Sequence, residues 1–330
     1  FINMYSANRN INFGLAINEA IKQAMKTDNS VFLIGQGVKS PWYVGNTCNG
    51  LVAEFGEDRV IDTPVSENAM TGVAVGAAIA GMKAIIVHPR VDFSLYAFDP
   101  IINQAANWHY MNGGKSSVPV VFWLIVNRGG EQAAQHSQAL HSLFAHIPGL
   151  KVVAPSNPYD AKGLLLASIN DNNPVVFIDD RWLYKRQSIV PQEMYTIPIG
   201  KGIIRKEGEK LTLISYSYMM IESEKAVNEL AKENIDVELI DLRTIKPFDE
   251  EIIIQSVKKT GRLVIADGAW KTGSFAAEIA TSVAEKTFNY LKAPIKRVCL
   301  PDCPAPASSS LEKVYYPTHS DIIKCIKSIL

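Results

Sequence analysis

Glu67 lies in "VIDTPVSENAMTGVAVGAAIAG", Val60 to Gly81, a single carboxylate at the mouth of a run of glycine, alanine and valine. Two chemistries fit an acid in that position. A carboxylate at a helix N-terminus is stabilised by the dipole, with Ser66 or Asn68 able to cap the first turn. An acid shielded by small apolar residues instead holds its proton to higher pH and can exchange it with a ligand. Gly72 and Gly76 are four residues apart and share one helical face. A glycine pair costs helix stability, so this face suggests close approach of another backbone, from the same chain or from another subunit.

The segment "AAQHSQALHSLFAH" spaces His136, His141 and His146 five apart. That spacing does not line three imidazoles on one helical face, which argues against a metal cluster. His136 follows the glycine-containing loop "NRGGEQAAQ", a setting for either a catalytic imidazole or a core histidine. Cys48, Cys299, Cys303 and Cys325 show no zinc spacing and read as free thiols of a reducing compartment. No G-x-G-x-x-G fingerprint, Walker loop or G-x-S-x-G elbow is present in the sequence.

The surrounding elements set where these residues stand. The chain has 330 residues, enough for about two domains. With 33 basic and 33 acidic residues it has no excess charge for nucleic acid or anionic lipid. Met70 to Val87 contains one charge, Lys83, but its Ala and Gly content and the separate "AIIV" run read as a packed helix and a strand, with no membrane span. The stretch "FINMYSANRN" lacks a signal-peptide layout, so a cytoplasmic location is expected. Apolar runs such as "SVFLIG", "VPVVFWLIV" and "PVVFIDD" alternate with helical patterns such as "FGLAINEAIKQAMKTD", "LYAFDPIINQAANWHYM" and "NPYDAKGLLLASIND". That alternation predicts an α/β fold of two doubly wound domains with parallel sheets, residues 1–190 and 191–330, joined near the polar "KRQSIVPQEMYTIPIGKG". Ligands of such folds bind at the C-terminal ends of strands.

In order and spacing, "VIDTPVSENAMTGVAVGAAIAGMKAI", "AFDPIINQAANWHYMNGG", "AAQHSQALHSLFAHIPGLKVVAPSNPYDAKGLL" and "IDLRTIKPFDEEIIIQSVKKTGRLV" resemble one family across nearly the whole chain. It is the beta subunit of the thiamine-diphosphate-dependent, decarboxylating component of 2-oxoacid dehydrogenases of the pyruvate, branched-chain and acetoin type, within the transketolase-like superfamily. The resemblance implies a pyrimidine-binding domain followed by a transketolase C-terminal-like domain. It assigns Glu67, in the family's TP-x-x-E segment, to the cofactor's aminopyrimidine, with Val65 of the same segment beside it and Phe93 stacked on the ring. It makes His136 the active-site histidine for substrate contact or acyl transfer to lipoamide. Ser168, Ile169, Asp171 and Asn173 match a loop that in some relatives wraps a potassium ion, with a plain helix-terminal loop as the alternative. The family's G-D-G diphosphate and magnesium segment is missing from this sequence. The resemblance therefore implies thiamine diphosphate and Mg²⁺ gripped largely by an alpha subunit, an α₂β₂ heterotetramer and a lipoyl acyltransferase core.

Three stretches depart from the family pattern. Gln36 stands where an acid is usual, "VHPRVDF" brings His88 and Arg90 toward the cofactor, and "WLIVNRGGEQ" has Trp123 in place of an arginine, with Arg128 further on. These would face substrate. The resemblance favours a 2-oxoacid dehydrogenase. A split transketolase-like or acyloin-forming ligase acting on a sugar or other carbonyl is the alternative, and a non-catalytic scaffold the third reading.

Overall fold

The computed structural model describes residues 9–330. The first eight residues of the stretch read for a signal peptide, and the start of the first domain, lie outside the described residues. The described chain forms two compact α/β units, residues 9–127 with 146–199 and residues 128–145 with 200–330.

In the first unit, strands β1 (Val31–Gly35), β2 (Val60–Asp62), β3 (Lys83–His88), β4 (Val120–Val126), β5 (Lys151–Val153) and β6 (Val175–Asp180) pair in parallel in the order β5-β6-β4-β3-β1-β2. The strands were legible as unbroken apolar runs because both faces are covered: every residue of β1, β4 and β6 is buried. Helix α1 (Phe13–Thr27) begins at Asn12, whose side chain accepts from the Leu15 amide at 2.9 Å, and buries Ile17, Ile21 and Met25. Helix α2 is Glu67–Ile79, and α3 is Pro158–Ile169, opened by Asn157 with Pro158 in its first turn. The polar segment read as a linker or edge hairpin supplies Gln187–Val190, which pairs antiparallel with Arg9–Asn12. Just beyond it, the fully buried Lys162 of α3 binds Glu19 Oε1 at 2.6 Å and the carbonyls of Pro191, Gln192 and Glu193 at 2.7, 3.2 and 2.8 Å. A buried ammonium is tolerated because each of its hydrogens meets an oxygen.

The run from Leu95 to Met111, read as one helix, is three pieces. A 3₁₀ stretch covers Val91–Ala97, a π-helix Asp99–Ala106, and a short α-helix Asn107–Met111. Pro100 explains the break, since it has no N–H and its ring crowds the preceding turn. Gly149 is pinned by this region: a Cβ there would stand 2.0 Å from the Ala106 carbonyl oxygen.

In the second unit, β7 (Ile203–Lys206), β8 (Leu211–Ser215), β9 (Val237–Asp241), β10 (Leu263–Trp270) and β11 (Lys296–Leu300) are ordered β11-β10-β8-β9-β7. All pairs are parallel except β7 with β9. Helices α4 (Met219–Lys232), α5 (Glu250–Thr260), α6 (Phe275–Thr287) and α7 (His319–Lys327) surround the sheet. Leu213, Leu230, Leu239, Val264 and Ile326 belong to its core. Fully burying each such side chain contributes roughly 1.5–3 kcal/mol. Among the described residues no helix is long and apolar enough to cross a membrane, and the four cysteines are free thiols.

Candidate active site

Strand β1 has β2 on one side and β3 on the other, so the chain reverses its direction of travel across the sheet between β1 and β3. An open α/β sheet forms its ligand crevice at such a switch point. A cleft of about 250 Å³ stands there, lined by Gln36 after β1, Val65 and Glu67 at the start of α2, His88, Pro89 and Arg90 at the end of β3, and by Tyr43, Phe93 and Tyr96. Six residues singled out in the sequence for cofactor or substrate, Gln36, Val65, Glu67, His88, Arg90 and Phe93, thus line one cleft.

Glu67 is the first residue of α2 and is half-buried. Ser66 occupies the capping position but its side chain makes no capping bond. The carboxylate is fixed from another direction: Gln36, 5% exposed, donates from Nε2 to Glu67 Oε1 at 2.9 Å. Gln36 thus supports the glutamate, a role that an acid at this position could fill only by sharing a proton.

His88 is fully buried and burial pushes its imidazole down to about 3. The tautomer follows from counting hydrogens. The Thr71 hydroxyl donates its one proton to the Glu67 carbonyl at 2.6 Å, so it must accept from His88 Nε2, 3.0 Å away. Nδ1 is then a bare acceptor, buried with no hydrogen-bond partner. Arg90 is half-buried, donates from Nη1 to the Pro89 carbonyl at 2.9 Å, and is held below its usual value by burial and by Arg181. Val65 is 76% exposed and Phe93 half-buried.

Trp123, in the place of the expected arginine, donates from Nε1 to Asp179 Oδ2 at 2.9 Å, and Tyr184 donates to the same oxygen at 2.7 Å. With two neutral donors, the buried Asp179 carboxyl is pushed up by burial to about 7. Nothing in the sequence pattern marked Asp179, which meets Trp123 across 56 residues.

The other candidates fall elsewhere. His136 is half-buried on the segment Arg128–Ala145, which folds with the second unit. Arg128 is 8% exposed and donates from Nη1 to the Gly268 carbonyl at 2.7 Å in that unit. At the end of α3, Ser168 is buried and donates to the Leu164 carbonyl at 2.7 Å, Ile169 is buried, the Asp171 carboxylate pairs with Lys151, and the Asn173 amide donates to Asp171 Oδ1 at 2.9 Å. Among the described residues no group of three or more His, Cys, Asp or Glu side chains could hold a metal ion.

The cleft tests well against the flat end of thiamine diphosphate. An aminopyrimidine presents ring nitrogens and an amino group around a planar face. The cleft offers one carboxylate, the aromatic rings of Tyr43, Phe93 and Tyr96, and one buried acceptor without a partner.

Two α/β units, with an acid-bearing cleft at the switch point of the first, define the architecture of transketolase-type proteins. Family models agree: the transketolase pyrimidine-binding domain matches residues 9–187 and the transketolase C-terminal domain residues 200–322. An acetoin:2,6-dichlorophenolindophenol oxidoreductase beta subunit from Cupriavidus necator is 44% identical, covering 95% of this chain and 96% of the relative. A pyruvate dehydrogenase E1 component beta subunit from Rickettsia felis is 42% identical over 95% of this chain and 96% of the relative. A solved structure of a split-gene transketolase, an inactive beta4 tetramer, superposes with a TM-score of 0.77 at 20% identity, covering 96% of this chain and 97% of that one. The chain belongs to the transketolase-like family of pyruvate and acetoin dehydrogenase beta subunits.

Proposed function

We propose that the chain is the beta subunit of a thiamine-diphosphate-dependent 2-oxoacid or acetoin dehydrogenase, active with an alpha subunit in an α₂β₂ assembly. One observation supports this above the others: Glu67 and Phe93, assigned separately by resemblance, line the same cleft as Gln36. When bound, the cofactor supplies a carbon nucleophile that adds to a keto group and accommodates the electron pair released by carbon–carbon cleavage. The chain's own residues prepare it. Gln36 occupies Glu67 Oε1 and fixes the rotamer, leaving Oε2 to hold and exchange a proton with the pyrimidine ring. Phe93 supplies the flat apolar face, Val65 closes the rim, and the neutral His88 offers Nδ1 as an acceptor. His136 serves acyl transfer to lipoamide, on a lipoyl acyltransferase core. Arg90 faces an anionic group of the substrate, while Arg128 supports the segment that bears His136.

Mg²⁺ and the diphosphate fall to the partner chain, and the cytoplasm is the fitting location for four free thiols. A potassium ion at Ser168, Ile169, Asp171 and Asn173 would draw on carbonyls, because Lys151 already neutralises Asp171. The ligase alternative is the weaker reading, since the likeness to a split transketolase stands at 20% identity and speaks to fold alone. In the two-chain complex, Glu67→Gln should lower turnover of pyruvate or acetoin by roughly 10²–10⁴-fold with the fold intact. Full activity in that variant would overturn the proposal, and turnover with aldehyde but never lipoamide as acceptor would favour the ligase.

A further inference from the structure

The C-terminal ends of adjacent parallel strands are where an open α/β sheet ordinarily presents a ligand site. In the second unit that edge is taken by the chain's own segment. His141, at the start of the short helix His141–His146, directs Nε2 to Asp267 Oδ1 of β10 at 3.0 Å. Both residues are buried, at 4% and 0% exposure. Asp267 also accepts from the backbone amides of Ala269 at 3.0 Å and Ala276 at 3.3 Å. Tyr216, directly after β8, packs edge-on against the His141 ring at 5.5 Å with its hydroxyl 3.4 Å from Nε2. Burial pushes Asp267 up, but His141, Tyr216 and the Ala269 amide together hold it below its ordinary value. An ionised carboxylate only accepts, so His141 Nε2 is the donor of this pair.

The same segment is tied at its other end. Arg128 Nη1 donates to the Gly268 carbonyl at 2.7 Å, the Gly129 amide to the Tyr316 hydroxyl at 3.2 Å, and the Glu131 amide to Glu312 Oε1 at 2.9 Å. Beyond His141, the Ala145 carbonyl accepts from Lys246 Nζ at 2.7 Å. Between the ties the backbone is left-handed at Glu131 and Ala133, with φ of 61° and 59°. Non-glycine residues hold that conformation when their surroundings over-determine it, as functional loops commonly do. His136 lies within the tied span.

We propose that His141, Asp267 and Tyr216 are positioning residues that clamp the His136 loop for acyl transfer. The proposal rests on the assignment of His136 to acyl transfer. The clamp acts on the loop and touches no reacting atom, so its loss should spare the steps that do not use His136.

The test uses the reconstituted two-chain complex, with free lipoamide as acyl acceptor and 2,6-dichlorophenolindophenol as an acceptor that bypasses it. His141→Ala should lower lipoamide transfer by about tenfold or more, because a small displacement of a reacting group is costly, while dye reduction stays within about twofold. Amide hydrogen exchange across residues 129–140 should rise by about tenfold with other regions unchanged. His141→Gln, which keeps an N–H donor for Asp267, should recover part of both losses, and it replaces the alanine variant if that one fails to fold. Unchanged exchange across 129–140, or dye reduction and transfer falling together, would overturn the clamp. Normal transfer in a His136→Gln complex would instead reject the underlying assignment, with the exchange measurement still deciding whether His141 holds the loop.

Discussion

His88 has a consequence for stability as well as for the cleft. Its imidazole is ordinarily near 6.5 and burial lowers it to about 3. As pH falls below about 6.5 the unfolded chain takes up a proton that the native state refuses, so stability present above that pH is progressively lost. The slope from this one residue is about 1.4 kcal/mol per pH unit until the folded value is approached. His88→Phe keeps a ring of similar size and removes the titration. Urea unfolding between about pH 6.5 and pH 4.5 should therefore show a shallower acid decline in the variant than in the wild type, by about one proton. Equal slopes would mean that the native imidazole does take up the proton. The sequence exposed the unusual residues, Gln36, His88 and Arg90, but not what they do. The Gln36–Glu67 bond spans 31 residues and the His141–Asp267 bond spans 126, so neither partner could be paired by local spacing.

Helix α2 shows where element-level reading succeeded and where it stopped. Its small residues announced a close contact and left open whether it lay within the chain. The structure answers in part: Met70, Thr71, Ala74, Val75 and Ala78 are buried, whereas a Cβ added at Gly72 or Gly76 meets nothing within 4 Å. Val73 is 58% exposed on the same face. A face so accommodating, with no neighbour from the described chain, suits the proposed alpha subunit. Gly72→Ala and Gly76→Ala should then act with opposite sign in two assays. Each should stabilise the isolated chain by roughly 0.5–1 kcal/mol through helix propensity. The pair should also weaken assembly with the alpha chain, seen by analytical ultracentrifugation as a raised dissociation constant; assembly as tight as wild type would show that another surface is used. The buried strands were legible because continuous apolar runs have few other uses. The edge strand β7, "IIRK", was not, since all four residues are only partly buried and carry no clear period. The run from Leu95 to Met111 misled because apolar spacing does not distinguish α from 3₁₀ or π geometry once Pro100 disrupts the hydrogen-bond ladder.

For the whole molecule, the binding one chain can achieve alone depends on the groups its cleft presents. Under the proposed function, the described cleft would take a planar, hydrogen-bonding ring, with Glu67 and the unpartnered His88 Nδ1 available to its edge and Phe93 to its face. Recognition of a diphosphate calls for a cation or a cradle of backbone amides, because two clustered negative charges are otherwise poorly compensated. If the tail is gripped by the alpha subunit, the isolated chain should scarcely distinguish thiamine from thiamine diphosphate, whereas the assembled complex should prefer the diphosphate strongly. Titration calorimetry with both compounds, on the chain alone and on the complex with Mg²⁺, measures that difference. A preference of about tenfold corresponds to 1.4 kcal/mol of tail recognition. The expected result is less than about threefold preference for the chain alone and more than about a hundredfold for the complex. Strong, magnesium-dependent preference by the chain alone would place the tail on this polypeptide and remove the need for a shared site.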